Sequence, residues 1–348
     1  MLALQKTTGG AGLELRDVPR PEAPGAGEIQ IAIAATGICG TDLSIEKGSA
    51  GLAAMMRDAL PVTLGHETVG RVVAIGEAVT GFAPGDAVVV NPAIACDACA
   101  ACRAGDPVGC LDRQAFGLIR DGAFASVANV DAAYAYHLPD AVPLELGALV
   151  EPLSISAYAL DVAGFERGNR VVVFGPGPIG QGTAVLARQM GAAEVVVVGF
   201  RDAARFATLR ALGFESLIDM SEDSAAARLK SLAGTGFDIA IEAAGAAAVI
   251  DQALAVLRPQ GVLAMAGMGD TSAPFDLGLV VRNRLQLRGV SRIPPRIWPG
   301  VIALLAADPR AFAPLITHRL PLSEAHQGFA LCRAGVSSKV LLIPDPAG

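Results

Sequence analysis

The sequence predicts an α/β protein of two domains, in which a β-rich segment precedes a doubly wound parallel sheet. Before about residue 152, short β-rich runs lie between turns rich in Gly and Pro. After that point, apolar strand patterns alternate with helical patterns, which is typical of right-handed βαβ units. A chain of 348 residues is long enough for two domains and a large buried core.

The elements are predicted in chain order as follows. Residues 1–15 indicate a first strand and turn, and strands are predicted at 28–34, 68–75 and 87–91. The second part has strands at 171–174, 194–198, 237–241 and 262–266, and helices at 179–190, 203–212 and 246–257. From about residue 290 the alternation ceases, and a last strand at 339–343 is predicted to rejoin the first domain. We therefore expect domains at 1–151 and 152–289 and a return segment at 290–348.

The composition of the chain argues against several classes of function. Hydrophobic residues make up 52% of the chain and the mean hydropathy is +0.48, but no apolar run reaches the ~18 residues of a spanning helix. The N-terminal residues lack the form of a signal peptide, so we expect no membrane partner. A net charge of −7 argues against nucleic acid as a partner. Few cysteines remain for a disulfide framework, which favours a reducing, cytoplasmic compartment.

Four cysteines carry the strongest motif. Cys96, Cys99, Cys102 and Cys110 are spaced C-x2-C-x2-C-x7-C, which lets four thiolates converge on one tetrahedral zinc. Four protein ligands close such a site, so this zinc would stabilise a lobe at about residues 92–114 and perform no chemistry.

A glycine-rich turn follows the strand predicted at 171–174. In GPGPIG, Gly175 permits the tight turn, Gly177 lets the backbone approach a pyrophosphate, and Gly180 lets the helix pack on the strand. The helix then presents unpaired N–H groups and the positive end of its dipole to the phosphates. This strand–turn–helix context predicts a dinucleotide site.

The next strand favours NADP. Sites for NAD usually carry an acidic residue about 20 positions after the glycine motif, where it binds the ribose diol. Here Gly199 stands at that position, followed by Phe200 and Arg201. No carboxylate would repel a 2′-phosphate there, and a guanidinium two residues on could bind it. Asp202 follows but lies past the expected strand end.

Three separated segments supply a second candidate metal site. Cys39 lies in GICGTD, His66 and Glu67 lie in GHETVG, and Glu151 opens EPLS. A thiolate, an imidazole and a carboxylate leave a coordination position open to water or substrate, as a catalytic zinc requires. The other three histidines are expected to be structural or solvated.

Together these motifs resemble the zinc-dependent medium-chain dehydrogenase/reductase family over essentially the whole chain. EPLS, GPGPIG, GVSRIPPRIWP and THRLPLSEA are most similar to its polyol (sorbitol-type) branch. The resemblance implies a GroES-like catalytic domain, a Rossmann domain and a homodimer or homotetramer. It implies a structural zinc on the four cysteines and a catalytic zinc on Cys39, His66 and Glu67, with Glu151 a ligand directly or through water. It also places Pro178, Ile179 and Gly267 in the cofactor site.

The resemblance further implies reversible hydride transfer between a secondary alcohol and NADP, because zinc lowers the pKa of a bound hydroxyl group. Thr41 matches the hydroxyl that begins proton release, whereas Ser44 stands where many relatives have a histidine that continues it. Asp42 is expected to hold local geometry.

Substrate identity is less strongly indicated. Arg292 matches an arginine that binds substrate hydroxyl groups in the polyol branch, and Ser44 is a further candidate contact. The apolar insert at 51–60 instead suits a lid over an apolar secondary alcohol, or a helix packed in the core or against a neighbouring subunit. A 2,3-diol or an amino alcohol such as threonine stays open as a substrate.

Two other classes explain less of the sequence. A zinc-ribbon module would account for the cysteines but not for the acidic charge or the dinucleotide motif. A non-catalytic dinucleotide-binding protein would have no reason to keep Cys39, His66 and Glu67 together.

Overall fold

A computed structural model describes residues 1–269 and 272–346 and divides them into two compact units. Unit 1 comprises Met1–Glu151, Pro294–Pro309 and the chain from Ile316 onward, and unit 2 comprises Pro152–Ile293 and Arg310–Leu315. The short excursion of Arg310–Leu315 into unit 2 has no counterpart in the sequence prediction. Strands and helices are present in both units, so the predicted α/β class is confirmed.

The first part of unit 1 is rich in short strands. They are β1 (Leu2–Lys6), β2 (Glu14–Asp17), β3 (Glu28–Gly37), β4 (Val62–Thr63), β5 (Glu67–Ile75), β6 (Ala87–Val90), β7 (Ala93–Ile94), β8 (Gln114–Ala115), β9 (Val127–Asp131) and β10 (Ala135–His137). Three short helices interrupt them: α1 (Gly40–Lys47), α2 (Ala50–Met56) and α3 (Ala100–Arg103).

Strands and helices then alternate. The helices are α4 (Val150–Ala163), α5 (Pro178–Gln189), α6 (Ala203–Ala211), α7 (Ala225–Ala233), α8 (Ala248–Ala255) and α9 (Leu277–Asn283), and the strands are β11 (Arg170–Phe174), β12 (Glu194–Gly199), β13 (Leu217–Asp219), β14 (Phe237–Glu242), β15 (Leu257–Met265) and β16 (Gln286–Gly289). The chain ends with α10 (Ile297–Ala307), β17 (Ile316–Pro321), α11 (Ala325–Arg333) and β18 (Lys339–Ile343).

The main sheet of unit 1 has seven strands. Their order is β10-β6-β5-β3-β18-β17, and β9 also pairs with β3. Strand β18 runs antiparallel to β3, with Leu341 opposite Gly37, so the predicted return of the last strand to the first domain is confirmed. Alternate residues of β3 are buried, which fits a strand with one face on the core.

The sheet of unit 2 has six parallel strands in the order β13-β12-β11-β14-β15-β16. The central run Val171–Val173 is fully buried, as expected for a parallel strand covered by helices on both faces. Because β11 lies between β12 and β14, the carboxyl end of β11 is where the strand order reverses. Ligands of open α/β sheets bind at this kind of position.

Two apolar segments differ in how far they are buried. The helical stretch Leu144–Ala163 has the length and hydropathy of a membrane span, but 67% of its most apolar window is buried inside the protein, as in a core helix. The insert at 51–60 forms most of α2, and its Met56 packs into the unit 1 core with Leu52 and Leu60. Met55 is 47% exposed. Met56 thus anchors the insert on the unit 1 core, while half of the insert is exposed, so the lid and the packed helix both stay predictions.

Candidate active site

Cys39 lies at the N-terminus of α1, as its N-cap residue. Its sulfur accepts a hydrogen bond from the Thr41 N–H at 3.5 Å and lies 3.7 Å from the Thr41 hydroxyl. The Thr41 N–H and the positive end of the helix dipole therefore face this sulfur. A thiolate is the form that binds a metal.

Asp42 connects Cys39 to His66. One carboxylate oxygen accepts the Cys39 N–H at 2.9 Å, and the other lies 3.6 Å from Nδ1 of His66. Burial raises the pKa of Asp42 to about 6. Burial also lowers the pKa of His66, but the negative charges of Asp42 and Cys39 outweigh this effect and leave that pKa raised. This geometry supports the expected structural role of Asp42.

Glu67 forms a buried ion pair that the sequence analysis missed. Nζ of Lys339, the first residue of β18, donates to the two Glu67 carboxylate oxygens at 2.5 and 2.7 Å and to the Ile38 carbonyl at 3.0 Å. The Lys339 and Glu67 side chains are only 2% and 1% exposed. A Cβ at Gly37 would lie 2.1 Å from Glu67 Oε2, so the pair needs glycine there. A lysine opening the apolar strand KVLLI was the available signal.

Glu151 completes the group of ionisable side chains. Burial raises its pKa to about 7, and its charge acts on His66. Cys39, His66, Glu67 and Glu151 thus come together from separate segments of unit 1. They do not converge as tightly as the cysteine cluster, which alone among the residues described has three or more His, Cys, Asp or Glu ligand atoms within 4.8 Å of one another.

The donor set fits a zinc ion. His66 Nδ1 and Asp42 Oδ1 are both buried and have no hydrogen-bond partner among the residues that the structure describes. A metal on the other ring nitrogen would require the Nδ1 proton to be donated to a neighbouring acceptor, and the Asp42 carboxylate faces it. Soft thiolate and borderline imidazole ligands with a carboxylate match the preferences of Zn²⁺.

The cysteine lobe has the geometry of a four-sulfur metal site. The sulfur of Cys102 lies 3.5 Å from that of Cys99 and 4.0 Å from that of Cys96, and Cys110 belongs to the same cluster. Tetrahedral zinc with ~2.3 Å bonds would separate its sulfur ligands by ~3.8 Å. The backbone N–H groups of Cys96 and Cys99 point to sulfur atoms at 3.4 Å, which offsets thiolate charge. These residues therefore fit a structural zinc.

The glycine-rich turn in unit 2 lies at the carboxyl end of β11. Gly175 has φ +103°, and a Cβ at Gly180 would lie 1.8 Å from the Gly175 carbonyl oxygen, so both positions require glycine. A Cβ at Gly177 would meet nothing within 4 Å, which leaves its backbone accessible. Pro178 lacks an N–H, so the donors at this end of α5 begin at Ile179. The arrangement suits a pyrophosphate group.

Strand β12 ends at Gly199, so Arg201 and Asp202 lie past the strand end, as the sequence predicts. The Arg201 guanidinium lies 5.2 Å from the centre of the Phe200 ring, and the Arg201 N–H donates to Asp219 at 2.9 Å. The Asp202 carboxylate also lies at this strand end. One of its oxygens accepts a hydrogen bond from the Phe200 N–H at 3.1 Å, and the other pairs with Arg205. Two arginines and two aspartates therefore surround this strand end.

The remaining predicted site residues are dispersed. Gly267 packs against the loop after β14, where a Cβ would lie 2.2 Å from the Gly245 nitrogen. The Ser44 hydroxyl donates to the Gly40 carbonyl within α1 at 3.1 Å, so it is engaged by its own helix. Arg292 is exposed, has φ +61° and belongs to unit 2, whereas the candidate zinc ligands Cys39 and His66 belong to unit 1.

Both units match known protein families. The family described as "Alcohol dehydrogenase GroES-like domain" matches residues 25–140, and the family described as "Zinc-binding dehydrogenase" matches residues 178–307. Sorbitol dehydrogenase from Gallus gallus is 34% identical over 341 residues, which cover 96% of this chain and 94% of that protein.

Solved structures agree over the full length. The 2R,3R-butanediol dehydrogenase from Bacillus subtilis is 26% identical with a TM-score of 0.88, and the match covers 99% of each chain. A protein from Sinorhizobium meliloti that is described as a zinc-binding dehydrogenase and is bound to NADP is 29% identical with a TM-score of 0.85, again over 99% of each chain.

Proposed function

Because the chain belongs to the zinc-dependent medium-chain alcohol dehydrogenase family, in its polyol-type branch, we propose that it oxidises a secondary alcohol of the polyol or diol type to a ketone, reversibly, with NADP. The observation that carries the proposal is the assembly of Cys39, His66 and two carboxylates from segments far apart in sequence. A binding module would not need this arrangement beside a separate cysteine cluster.

The proposed catalytic zinc would be held by Cys39, His66 and Glu67, with Glu151 a ligand directly or through water. When bound, zinc supplies a Lewis acid that lowers the pKa of the alcohol hydroxyl toward neutrality. Asp42 would orient His66, and Lys339 fixes the position of the Glu67 carboxylate. The second zinc, on the four cysteines, stabilises the lobe at 92–114.

Thr41 is the first proton carrier in this proposal. Its hydroxyl lies 3.7 Å from the Cys39 sulfur, which places it beside the proposed metal site. Ser44 donates to the Gly40 carbonyl, so its hydroxyl proton is already engaged within α1. Water therefore carries the proton beyond Thr41.

NADP is the proposed cofactor because position 199 has no carboxylate and Arg201 and Arg205 lie at the same strand end. The NADP-bound relative supports this choice. The pyrophosphate would be bound by the turn at Gly175, Gly177 and Gly180 and by the N–H groups of α5 that begin at Ile179.

The proposed substrate carries neighbouring hydroxyl groups. The names of the sorbitol and butanediol relatives support this class, with Arg292 as the proposed hydroxyl-binding residue. We also propose a cytoplasmic homodimer or homotetramer. The described residues contain no disulfide bond, as in a reducing compartment. Unit 2 exposes the apolar side chains Met268, Leu277 and Val281, which suits contact with another subunit.

An oxidation screen tests the proposal. Purified protein with zinc is assayed for NADP reduction on polyols, 2,3-diols, L-threonine and apolar secondary alcohols. We expect the highest kcat/KM with a polyol or diol, and loss of activity with a chelator that zinc reverses. A highest kcat/KM with L-threonine or an apolar alcohol would correct the substrate class. No turnover of any secondary alcohol by zinc-loaded protein would refute the enzyme assignment.

A further inference from the structure

Gly199 is a glycine for reasons of space. Its backbone is not in the left-handed region, so any residue could adopt its conformation. An ideal Cβ there would lie 2.8 and 2.9 Å from two ring carbons of Pro176 and 2.9 Å from Cζ of Phe206. Non-bonded carbon atoms prefer separations of about 3.5–4.0 Å. The two rings therefore occupy the volume that a side chain at position 199 would need.

Neither ring can easily move away. The ring of Pro176 is part of the backbone in the turn between Gly175 and Gly177, and the Pro176 carbonyl accepts a hydrogen bond from Gln181 at 2.9 Å. Phe206 lies on α6 and is only 3% exposed. In a densely packed interior, displacing such a ring shifts its neighbours as well.

This position is the one at which an NAD site carries the acidic residue that binds the ribose diol. We infer that Pro176 and Phe206 are specificity-determining residues, which exclude a carboxylate at position 199 by volume and leave recognition of the adenosine ribose to the residues after the strand. The inference rests on the proposed dinucleotide function and concerns residues to which that function gave no role.

The sequence alone suggests that an acidic residue at position 199 would be enough to favour NAD, and the packing predicts otherwise. Gly199→Asp alone should then not convert the protein to NAD, because the aspartate cannot reach its place. It should instead distort the strand end and weaken both NAD and NADP binding. Conversion should require that the two rings be reduced first.

The test compares two backgrounds. Gly199→Ala and Gly199→Asp are each made in the wild-type protein and in a Pro176→Ala/Phe206→Leu host, and Phe206→Leu alone is a milder host. Thermal unfolding without cofactor measures the cost of the added atoms. Calorimetric titration measures Kd for NAD and for NADP. Gly199→Ala is the matched control, because it adds the Cβ without the charge.

In the wild-type background we expect both substitutions to lower Tm, by about 3 °C or more. In the host the loss should be at least halved. There Gly199→Asp should shift the ratio of NAD to NADP affinity toward NAD by about tenfold or more, and Gly199→Ala should not.

Two results would overturn the inference. One is a wild-type Gly199→Asp variant with unchanged Tm and a tenfold shift toward NAD. The other is an equal loss of Tm for Gly199→Ala in all backgrounds. A wild-type protein that prefers NAD would instead refute the NADP assignment, while the Tm comparison still decides the steric claim.

Discussion

The pair of Lys339 and Glu67 shows how a single residue can depend on a distant one. Both side chains are almost fully buried, and each would be an uncompensated charge without the other. Breaking a buried pair by removing one partner costs about 3–5 kcal/mol, whereas replacing both with neutral groups is often much less costly. The pair therefore makes each residue difficult to change alone.

We expect Lys339→Met to lower the free energy of unfolding by about 3–5 kcal/mol, because Glu67 would stay buried without its counterion. Lys339→Met/Glu67→Gln should recover most of the loss. Denaturant unfolding, with the proposed catalytic zinc removed from every variant by a mild chelator, measures both variants. A single variant as stable as wild type would show that the ion pair contributes little.

Cys39→Ala tests the candidate catalytic metal. We expect loss of turnover with the fold and one zinc per chain retained, because Cys39 belongs only to the site of His66 and the carboxylates. Activity, circular dichroism and elemental analysis are the measurements. Near-normal activity in this variant would show that the catalytic site has been assigned wrongly.

Arg201→Ala tests the proposed contact with the 2′-phosphate. A charge-assisted contact of this kind is worth about 1.5–3 kcal/mol, so KM for NADP should rise by roughly 10- to 150-fold. Kinetics with NAD should hardly change, because NAD has no phosphate at that position. Equal effects on the two cofactors would contradict the assignment.

Residue identity was predictable where a local motif carries the chemistry. The cysteine cluster and the three glycines of the turn could be identified from spacing alone. The ion pair of Lys339 could not be identified in this way, because its partner Glu67 lies 272 residues away and no local pattern connects the two residues. The lack of a carboxylate at Gly199 was readable, but its cause in the Pro176 and Phe206 rings is a packing effect.

At the scale of elements, the short helix α1, of eight residues, positions several side chains of the candidate site. Cys39 caps its first turn, and Asp42 closes the reciprocal cap and faces His66. The helix therefore orients both a proposed ligand and the group that holds another. A change that frayed this first turn would disturb the metal site without touching the metal.

The cysteine lobe yields a prediction for an element. Cys99→Ser should remove one zinc and make residues 92–114 sensitive to proteases, because the bound metal substitutes for a hydrophobic core there. Structural zinc contributes an apparent ~10–16 kcal/mol in zinc-finger peptides. Limited proteolysis and zinc analysis measure the effect. Cys332→Ser is the control, since Cys332 lies outside the cluster, and a lobe equally resistant in both variants would contradict a structural zinc.

Long apolar strands were predictable and short edge strands were not. The predicted strand at 171–174 matches β11 within one residue, because a run of buried apolar residues has little alternative. Strand β13 has only three residues. Strand β16 has the sequence QLRG and lies at the sheet edge, where it has a neighbouring strand on one side only. Periodicity cannot detect strands that short.

At the scale of the whole molecule, two kinds of zinc site predict two kinds of metal loss. We expect about two zinc ions per purified chain. A mild chelator should remove the zinc of the open site first, with loss of activity and little change in Tm. A strong chelator should then remove the second and unfold the lobe. Activity, Tm and zinc content followed in one titration test this order, and a single zinc per chain would contradict it.

The position of β18 has a consequence for how the protein is made. Glu67 leaves the ribosome long before Lys339, with all of unit 2 synthesised between them. At about 5–20 residues per second, the nascent carboxylate waits roughly 15–50 s for its counterion. During translation the first unit therefore lacks both a strand beside β3 and the charge that neutralises Glu67. A ribosome that stalls late would hold a finished second unit attached to an unfinished first one.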